Sequence, residues 1–489
     1  MMQKIKKIFG FIDLTQGKAW KVLLLFAIPL LLSNILTSSL SFINALVLKT
    51  TVGGTSVTAI NQTGSLNSIL LQFGFGCASG FSVIIGQKVG AKDESGVKKA
   101  YFHSVILCII ISLVVLIVGS LSLSSLLNLL NVNEMFFEKS YKYFLILLLG
   151  YPIGLLNTMY ANVIGSLGNS FVPLLISAST TSLHILNVFL LTSPNVMGLD
   201  VVGCGVATII TNLLSLIIQY IYLTRSHKNF KLSKDLLSFD KKYFLDLIKL
   251  GVPLGFQWSI LFIGSFVQNS QVNKYGEYAS MAMACYSQFE GYITMPISVV
   301  STALLRFVGQ NYGANQKNRI KAGIKDAFII DLICYSMILL LGFSVAKYVP
   351  YIFLNANEVN DRVIFYSSCY IYVLIPSLIL QAIITISRSA LQGIKKPMIP
   401  FVSGIGELVA RIVISLFIPL LIDPNYETTL SDSSYIGLCF SNCSAWVVAS
   451  LVMGISVLVL IIFNKEFKDS KEKNTAKPNE KIDTCDNEN

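Results

Sequence analysis

Gly86-Gln87-Lys88-Val89-Gly90-Ala91 recurs 223 residues later as Gly309-Gln310-Asn311-Tyr312-Gly313-Ala314. The register extends to both sides. Val97-Lys98 returns as Ile320-Lys321 at the same offset, and Phe26-Ala27-Ile28-Pro29-Leu30 is echoed by Leu250-Gly251-Val252-Pro253-Leu254, displaced by 224. One shared pair of glycines would be chance, but four identities in one block with collinear flanks mark a duplicated unit. The chain is therefore two copies of one structure, and the question of fold becomes what a single copy is.

Composition answers it. Of 489 residues 54% are hydrophobic and 13% charged, where a soluble domain carries about 25% charged residues. Crossing about 30 Å of hydrocarbon takes about 20 apolar residues in a helix. By that measure twelve segments are expected: 21–48, 58–85, 100–127, 141–164, 171–192 and 201–223 in the first copy, and 243–268, 279–306, 327–349, 363–387, 398–422 and 435–463 in the second. The fold class is an all-α integral membrane protein with twelve transmembrane helices in two six-helix bundles. Six is even, so both copies enter the membrane in the same sense and are parallel-related by a pseudo-twofold axis along the membrane normal. The expected organisation is an N-terminal arm (1–20), a first bundle (21–223), a basic linker (224–242), a second bundle (243–463) and a disordered tail (464–489) whose charged residues have nothing to bury.

Net charge is +11. Placing the N-terminus in the cytoplasm puts 29 of the 37 Lys and Arg on that side, so both termini are read as cytoplasmic. The basic residues flank helix ends, which topology explains without nucleic acid. Nine cysteines show no ligand-like spacing and read as small apolar residues. No phosphate loop is present, and no cluster of His, Asp or Cys at one depth suggests an enzyme; no cofactor or metal is expected.

The repeated block falls at the cytoplasmic ends of the second and eighth segments, where paired glycines permit close helix approach or a sharp exit. It reads as a structural corner. Pro29 and Pro253 lie inside the first and seventh segments, where each removes a backbone hydrogen bond and permits a kink. The start of the second segment is polar (Asn61, Gln62, Ser65, Asn67, Ser68, Gln72) and should line a cavity.

Ionisable groups deep in a membrane are costly and mark function by default. Two carboxylates are read as deep, Glu290 and Glu407. Glu290 stands eleven residues into the eighth segment with no charge in its own turn, suited to hold a coupling ion or a substrate cation. Phe289 and Tyr292 beside it could face an organic cation. Glu407 and Arg411 are spaced i, i+4 on one helix face and can satisfy each other, with gating or charge balance as the functional alternative. Arg388 reads as a topological residue reaching headgroups.

These residues resemble the multidrug and toxic compound extrusion (MATE) transporters over essentially all twelve segments. Asp13-Leu14-Thr15-Gln16-Gly17 followed by Phe26-Ala27-Ile28-Pro29 is similar to that family's opening. Gly309 to Ala314, preceded by Gln288-Phe289-Glu290 and Met295-Pro296, resembles its most specific block, and Gly404 to Arg411 its eleventh helix. The resemblance implies a V-shaped exporter of cationic amphipathic compounds in exchange for H⁺ or Na⁺. It also implies acidic residues in the first and fifth helices, where this chain has Asn44 and Leu191, while Asn187 matches the family's Asn. Asn44 and Asn187 can hydrogen-bond a ligand or glue helices together, and His184, one turn before Asn187, can titrate where the carboxylates are absent. Gln257 in the seventh segment completes the coupling-ion or substrate candidates.

The expected function is thus a secondary active antiporter, a monomer in the plasma membrane among lipid, acting on small organic cations by alternating access. The alternative is a flippase for lipid-linked saccharides, whose cavity should be strongly cationic to meet pyrophosphate. Arg388 and Arg411 against two Glu argue for the antiporter.

Overall fold

The computed structural model describes residues 11–130, 132–227, 230, 239–354, 357–424, 431–464 and 467. Residues 1–10 of the arm, most of the basic linker and nearly all of the tail lie outside the described residues. Among the described residues, 12 helices are long and apolar enough to cross a membrane. In chain order they are α1 (Ala19–Thr51), α2 (Gly64–Gly90), α3 (Glu94–Leu129), α4 (Glu134–Ser166), α5 (Phe171–Thr192) and α6 (Asp200–Ser226). The second copy supplies α7 (Lys241–Asn273), α8 (Glu277–Gly313), α9 (Lys317–Val345), α10 (Asp361–Gly393), α11 (Met398–Ile422) and α12 (Asp432–Val457).

Local chemistry starts several of these helices. The side chains of Asp93, Asn133, Asp240, Asn360 and Ser431 each accept a hydrogen bond from a backbone N–H of the first turn they precede, satisfying a donor the helix leaves open. Pro29 and Pro253 lie inside α1 and α7, and Pro152 and Pro376 form a second matched pair inside α4 and α10.

Two expectations are corrected. The second segment is not one helix from residue 58: a separate short helix, Gly54–Gln62, ends at Thr63, and α2 starts at Gly64. Gly53 has φ 79° and sits before that short helix, so glycine punctuates both of its ends. Helices also run past the hydrocarbon length. α8 continues to Gly313 rather than stopping near 306, and α9 starts at Lys317 rather than 327. Lys and Arg stems allow a helix to carry on from lipid into water without a break.

The repeated block is where the two copies meet. A methyl group on Gly90 would collide with the Gln310 carbonyl oxygen, and one on Gly313 with the Gln87 carbonyl oxygen. The Gln87 side chain donates to the Gly393 carbonyl at 2.7 Å, and the Gln310 side chain donates to the Ser166 carbonyl at 2.7 Å. Each copy thus offers the same glycine, the same backbone oxygen and the same amide to the other. Lys92 and Asn315, just beyond the two blocks, share a left-handed backbone with φ of 56° and 57°.

A second contact joins α2 to α7. Gly76 and Gly80 on α2 face Gly251 and Gly255 on α7, and a methyl on Gly80 would stand 2.6 Å from the Gly251 Cα. Small residues at four-residue spacing let backbones approach this closely. The cores interpenetrate accordingly. Leu247, Leu250 and Leu254 of α7 belong to the first copy's core, while Leu23, Phe26 and Ala27 of α1 belong to the second's. At the opposite end of the helices each copy is fastened to itself, by Lys139–Asp200 at 2.8 Å and Arg362–Asp432 at 2.7 Å.

Candidate transport site

Buried charge gathers in the second copy, where α7, α8, α10, α11 and α12 converge. Glu407 is 4% exposed and accepts from Arg411 Nη2 at 3.1 Å through the i, i+4 spacing of α11. Arg411 also donates to Ser265 Oγ on α7 at 3.1 Å. The second carboxylate oxygen of Glu407 lies 3.9 Å from Arg388 Nη2 on α10. Arg388 is 7% exposed, with its guanidinium 5.3 Å from the centre of the Trp258 ring. It is a buried residue rather than one reaching for headgroups.

Glu290 lies half-buried on α8. Its own turn holds no charge, but the positive field of Arg411 and the hydroxyl of Tyr286, one turn earlier, act on its carboxyl. That hydroxyl accepts from Asn442 Nδ2 of α12 at 3.0 Å, and its ring packs 4.7 Å from Tyr370 of α10. Tyr292 is placed elsewhere. Two residues on from Glu290 is about 200° around a helix, and Tyr292 stacks on Phe353 instead. Gln257 of α7 is fully buried, accepts from Gln392 Nε2 at 3.2 Å, and leaves its own Nε2 without a partner.

The first copy holds a cavity of about 470 Å³ whose lining residues include His184 but no Asp, Glu, Lys or Arg. His184 Nδ1 is 3.3 Å from Thr211 Oγ1. Gln219 donates to Asn157 at 2.7 Å, and Asn157 donates to Asn212 at 3.1 Å. Asn44 and Asn187 are not among the residues lining this cavity. Each keeps one buried polar atom without a hydrogen-bond partner, Oδ1 of Asn44 and Nδ2 of Asn187.

Between the copies lies a second cavity of about 460 Å³, walled by α1, α2, α4, α7, α8 and α10. Of the six polar residues named at the start of the second segment, Gln72 lines it and Asn61, Gln62, Ser65, Asn67 and Ser68 do not. Two further buried ionisable residues escaped the sequence reading. Arg306, counted there among the cytoplasmic residues, is 6% exposed within α8 and reaches across to Ser82 of α2 and Asn162 of α4. Asp331 is fully buried in α9, with neither carboxylate oxygen hydrogen-bonded. A helix drawn to its full length, rather than to the apolar run alone, would have found both.

A polar cavity walled by two copies of one bundle, with the copies locked together at one end by contacts they exchange, defines a multi-pass membrane transporter. The chain belongs to the MatE family, whose model matches residues 29–190 and 253–417, one stretch in each copy. It is 26% identical to the probable multidrug resistance protein YoeA of Bacillus subtilis over 349 residues, 70% of this chain and 75% of that one. A MATE crystal structure in the bent conformation superposes with a TM-score of 0.80 at 17% identity, covering 95% of this chain and 98% of the other. An outward-facing multidrug resistance MATE family transporter gives 0.79 at 18% identity, with coverage of 94% and 98%. The duplication, the twelve helices and the family expected from the sequence stand, and the family is one of transporters rather than enzymes.

Proposed function

We propose that the chain is a monomeric antiporter of the plasma membrane that exports amphipathic organic compounds, with both termini cytoplasmic, in exchange for inward-moving H⁺ or Na⁺. The moving units are residues 21–223 and 243–463. The carrying observation is the charge cluster of Glu290, Glu407, Arg388 and Arg411 in the second copy, set against a carboxylate-free cavity in the first. Coupling therefore belongs to the second bundle. Glu290 holds the ion, Tyr286 and Asn442 orient its carboxyl, and the Glu407–Arg411 pair sets the local charge. His184, Asn44 and Asn187 supply neutral hydrogen-bonding groups on the other side.

The expectation of cationic substrates came from the family resemblance, with Glu290 as the group to meet the cation. That residue is not among those lining the cavity between the copies, so its carboxylate is assigned to the coupling ion, and substrate charge is left to the cavity walls. Contacts at the repeated block close the cytoplasmic end, which makes this arrangement the outward-facing one. Relatives named for multidrug resistance support export of drug-like compounds.

Purified protein in proteoliposomes, driven separately by proton and sodium gradients, identifies the ion. Glu290→Gln, present at normal level in the membrane, should lose gradient-driven efflux while still binding substrate. Full gradient-driven efflux by that variant would falsify the coupling role.

A further inference from the structure

Both charged residues lining the cavity between the copies are basic. Arg306 enters from α8 and Arg388 from α10, and no Asp or Glu lies among the lining residues. Arg306 meets only neutral acceptors: it donates to Ser82 Oγ and to Asn162 Oδ1 at 2.5 Å, and it has no ion pair among the described residues. Arg388 is loosely met. Its Nε has no partner, and the carboxylate 3.9 Å from its Nη2 is already held by Arg411 at 3.1 Å. A buried cation without a full counter-charge is costly to the fold. Such a group is retained where a ligand brings the missing charge.

The rest of the cavity suits an amphipathic ligand. Trp258, already beneath the Arg388 guanidinium, and Phe75 of α2 present apolar surface, while Ser79, Ser301 and Gln392 offer hydrogen bonds. A volume of about 460 Å³ lies within the range of small-molecule sites. Guanidinium forks bind carboxylate and phosphate oxygens with charge-assisted hydrogen bonds.

We infer that this cavity binds the anionic group, carboxylate or phosphate, of an amphipathic ligand, with Arg306 and Arg388 as the clamp and Trp258 and Phe75 against the apolar part. The transport consequence rests on the exporter reading; the binding does not. It has an electrical signature. Exchange of a cation for H⁺ moves no net charge, whereas a monoanion leaving as H⁺ enters carries charge inward twice. An inside-negative potential drives that cycle forward.

The test uses the full chain in nanodiscs for binding and in proteoliposomes for transport, with fluorescein as the anion, ethidium as the cation and undecaprenyl phosphate as a lipid-borne phosphate. Fluorescein should bind in a salt-sensitive manner, and Arg388→Gln should weaken it about tenfold, as for loss of one charge-assisted hydrogen bond. Arg306 also ties the copies together, so Arg306→Lys accompanies Arg306→Gln; retained binding by Lys and loss by Gln assigns the effect to charge. Displacement of fluorescein by undecaprenyl phosphate identifies a lipid headgroup as the source of the anion, and failure to displace identifies a soluble solute. Both support the site. Fluorescein binding unchanged in Arg388→Gln and Arg306→Gln, or ethidium transport indifferent to potential with no anion bound, overturns it. If fluorescein binds through the arginines but no gradient moves it, the exporter reading fails and the site stands.

Discussion

Tyr286 and Tyr292 lie six residues apart on α8 and differ in everything that matters to Glu290. Tyr286 is 1% exposed, receives a hydrogen bond from Asn442 and lies one turn before Glu290 on the same helix face. Tyr292 is 37% exposed and stacks on Phe353. Removing the Tyr286 hydroxyl leaves the Asn442 amide unpaired and the carboxyl without its neighbour, a loss of about 1–3 kcal/mol. Tyr286→Phe is therefore expected to raise the coupling-ion concentration for half-maximal efflux by about tenfold, and Tyr292→Phe to leave it unchanged. Equal effects from the two variants, read from ion titrations in proteoliposomes, would reject the placement. Part of this site is legible in sequence: Glu290 because an apolar run surrounds it, and Glu407 with Arg411 because helical spacing pairs them. Tyr286 carries no such mark, since its partner lies 156 residues away. Arg306 and Asp331 stay hidden for a different reason. Each sits near the edge of an apolar run, and only the observed helix ends place it in the interior.

At the scale of elements, the α2–α7 seam depends on four glycines, two on each helix, facing one another. Offsets of 223 and 224 put Val299 and Ala303 of α8, and Ala27 and Leu31 of α1, at the equivalent places. The duplicated fold therefore has one close seam and one built from larger side chains. A side chain on Gly80 must push into the Gly251 backbone, and overpacking of that kind costs about 1–3 kcal/mol. Gly80→Val should lower the thermal midpoint in detergent, and Gly251→Val should do the same. Gly291→Ala, with nothing within 4 Å of the new methyl, should be neutral or slightly stabilising through helix propensity. Unchanged midpoints for both seam variants would mean that the helices can part there without loss. The spacing Gly76-x3-Gly80 and Gly251-x3-Gly255 is readable in the sequence, but its partner helix is not, because two such motifs become one seam only after the copies are assembled. The break at Thr63 was equally invisible to hydropathy, which sees a polar stretch and cannot tell a short helix from the start of a long one.

For the molecule as a whole, the repeat is both the clearest sequence signal and the part whose meaning changed. Read alone, the glycine block is a corner of each bundle. In the structure it is the surface by which each bundle holds the other, with Gln87 on Gly393 matching Gln310 on Ser166. A twofold arrangement makes the two contacts equivalent, so both must open together if the copies rock apart at this end. The arm adds to the closure: Ile12 donates to the Gly168 carbonyl at 3.0 Å, and Leu14 receives a hydrogen bond from Asn311 at 3.1 Å. Alternating access then makes a strict demand. In a background without native cysteines, a short reducible linker between Ser166→Cys and Gln310→Cys should stop efflux, and reduction should restore it. The pair Gln87→Cys and Gly393→Cys should behave identically. A linker between Lys139→Cys and Asp200→Cys spans a contact internal to the first copy, and should leave efflux intact because rigid-body rocking does not disturb it. If cross-linking either pair at the block spared transport, the copies would have to move substrate without separating there, and rocking about the twofold would be the wrong motion.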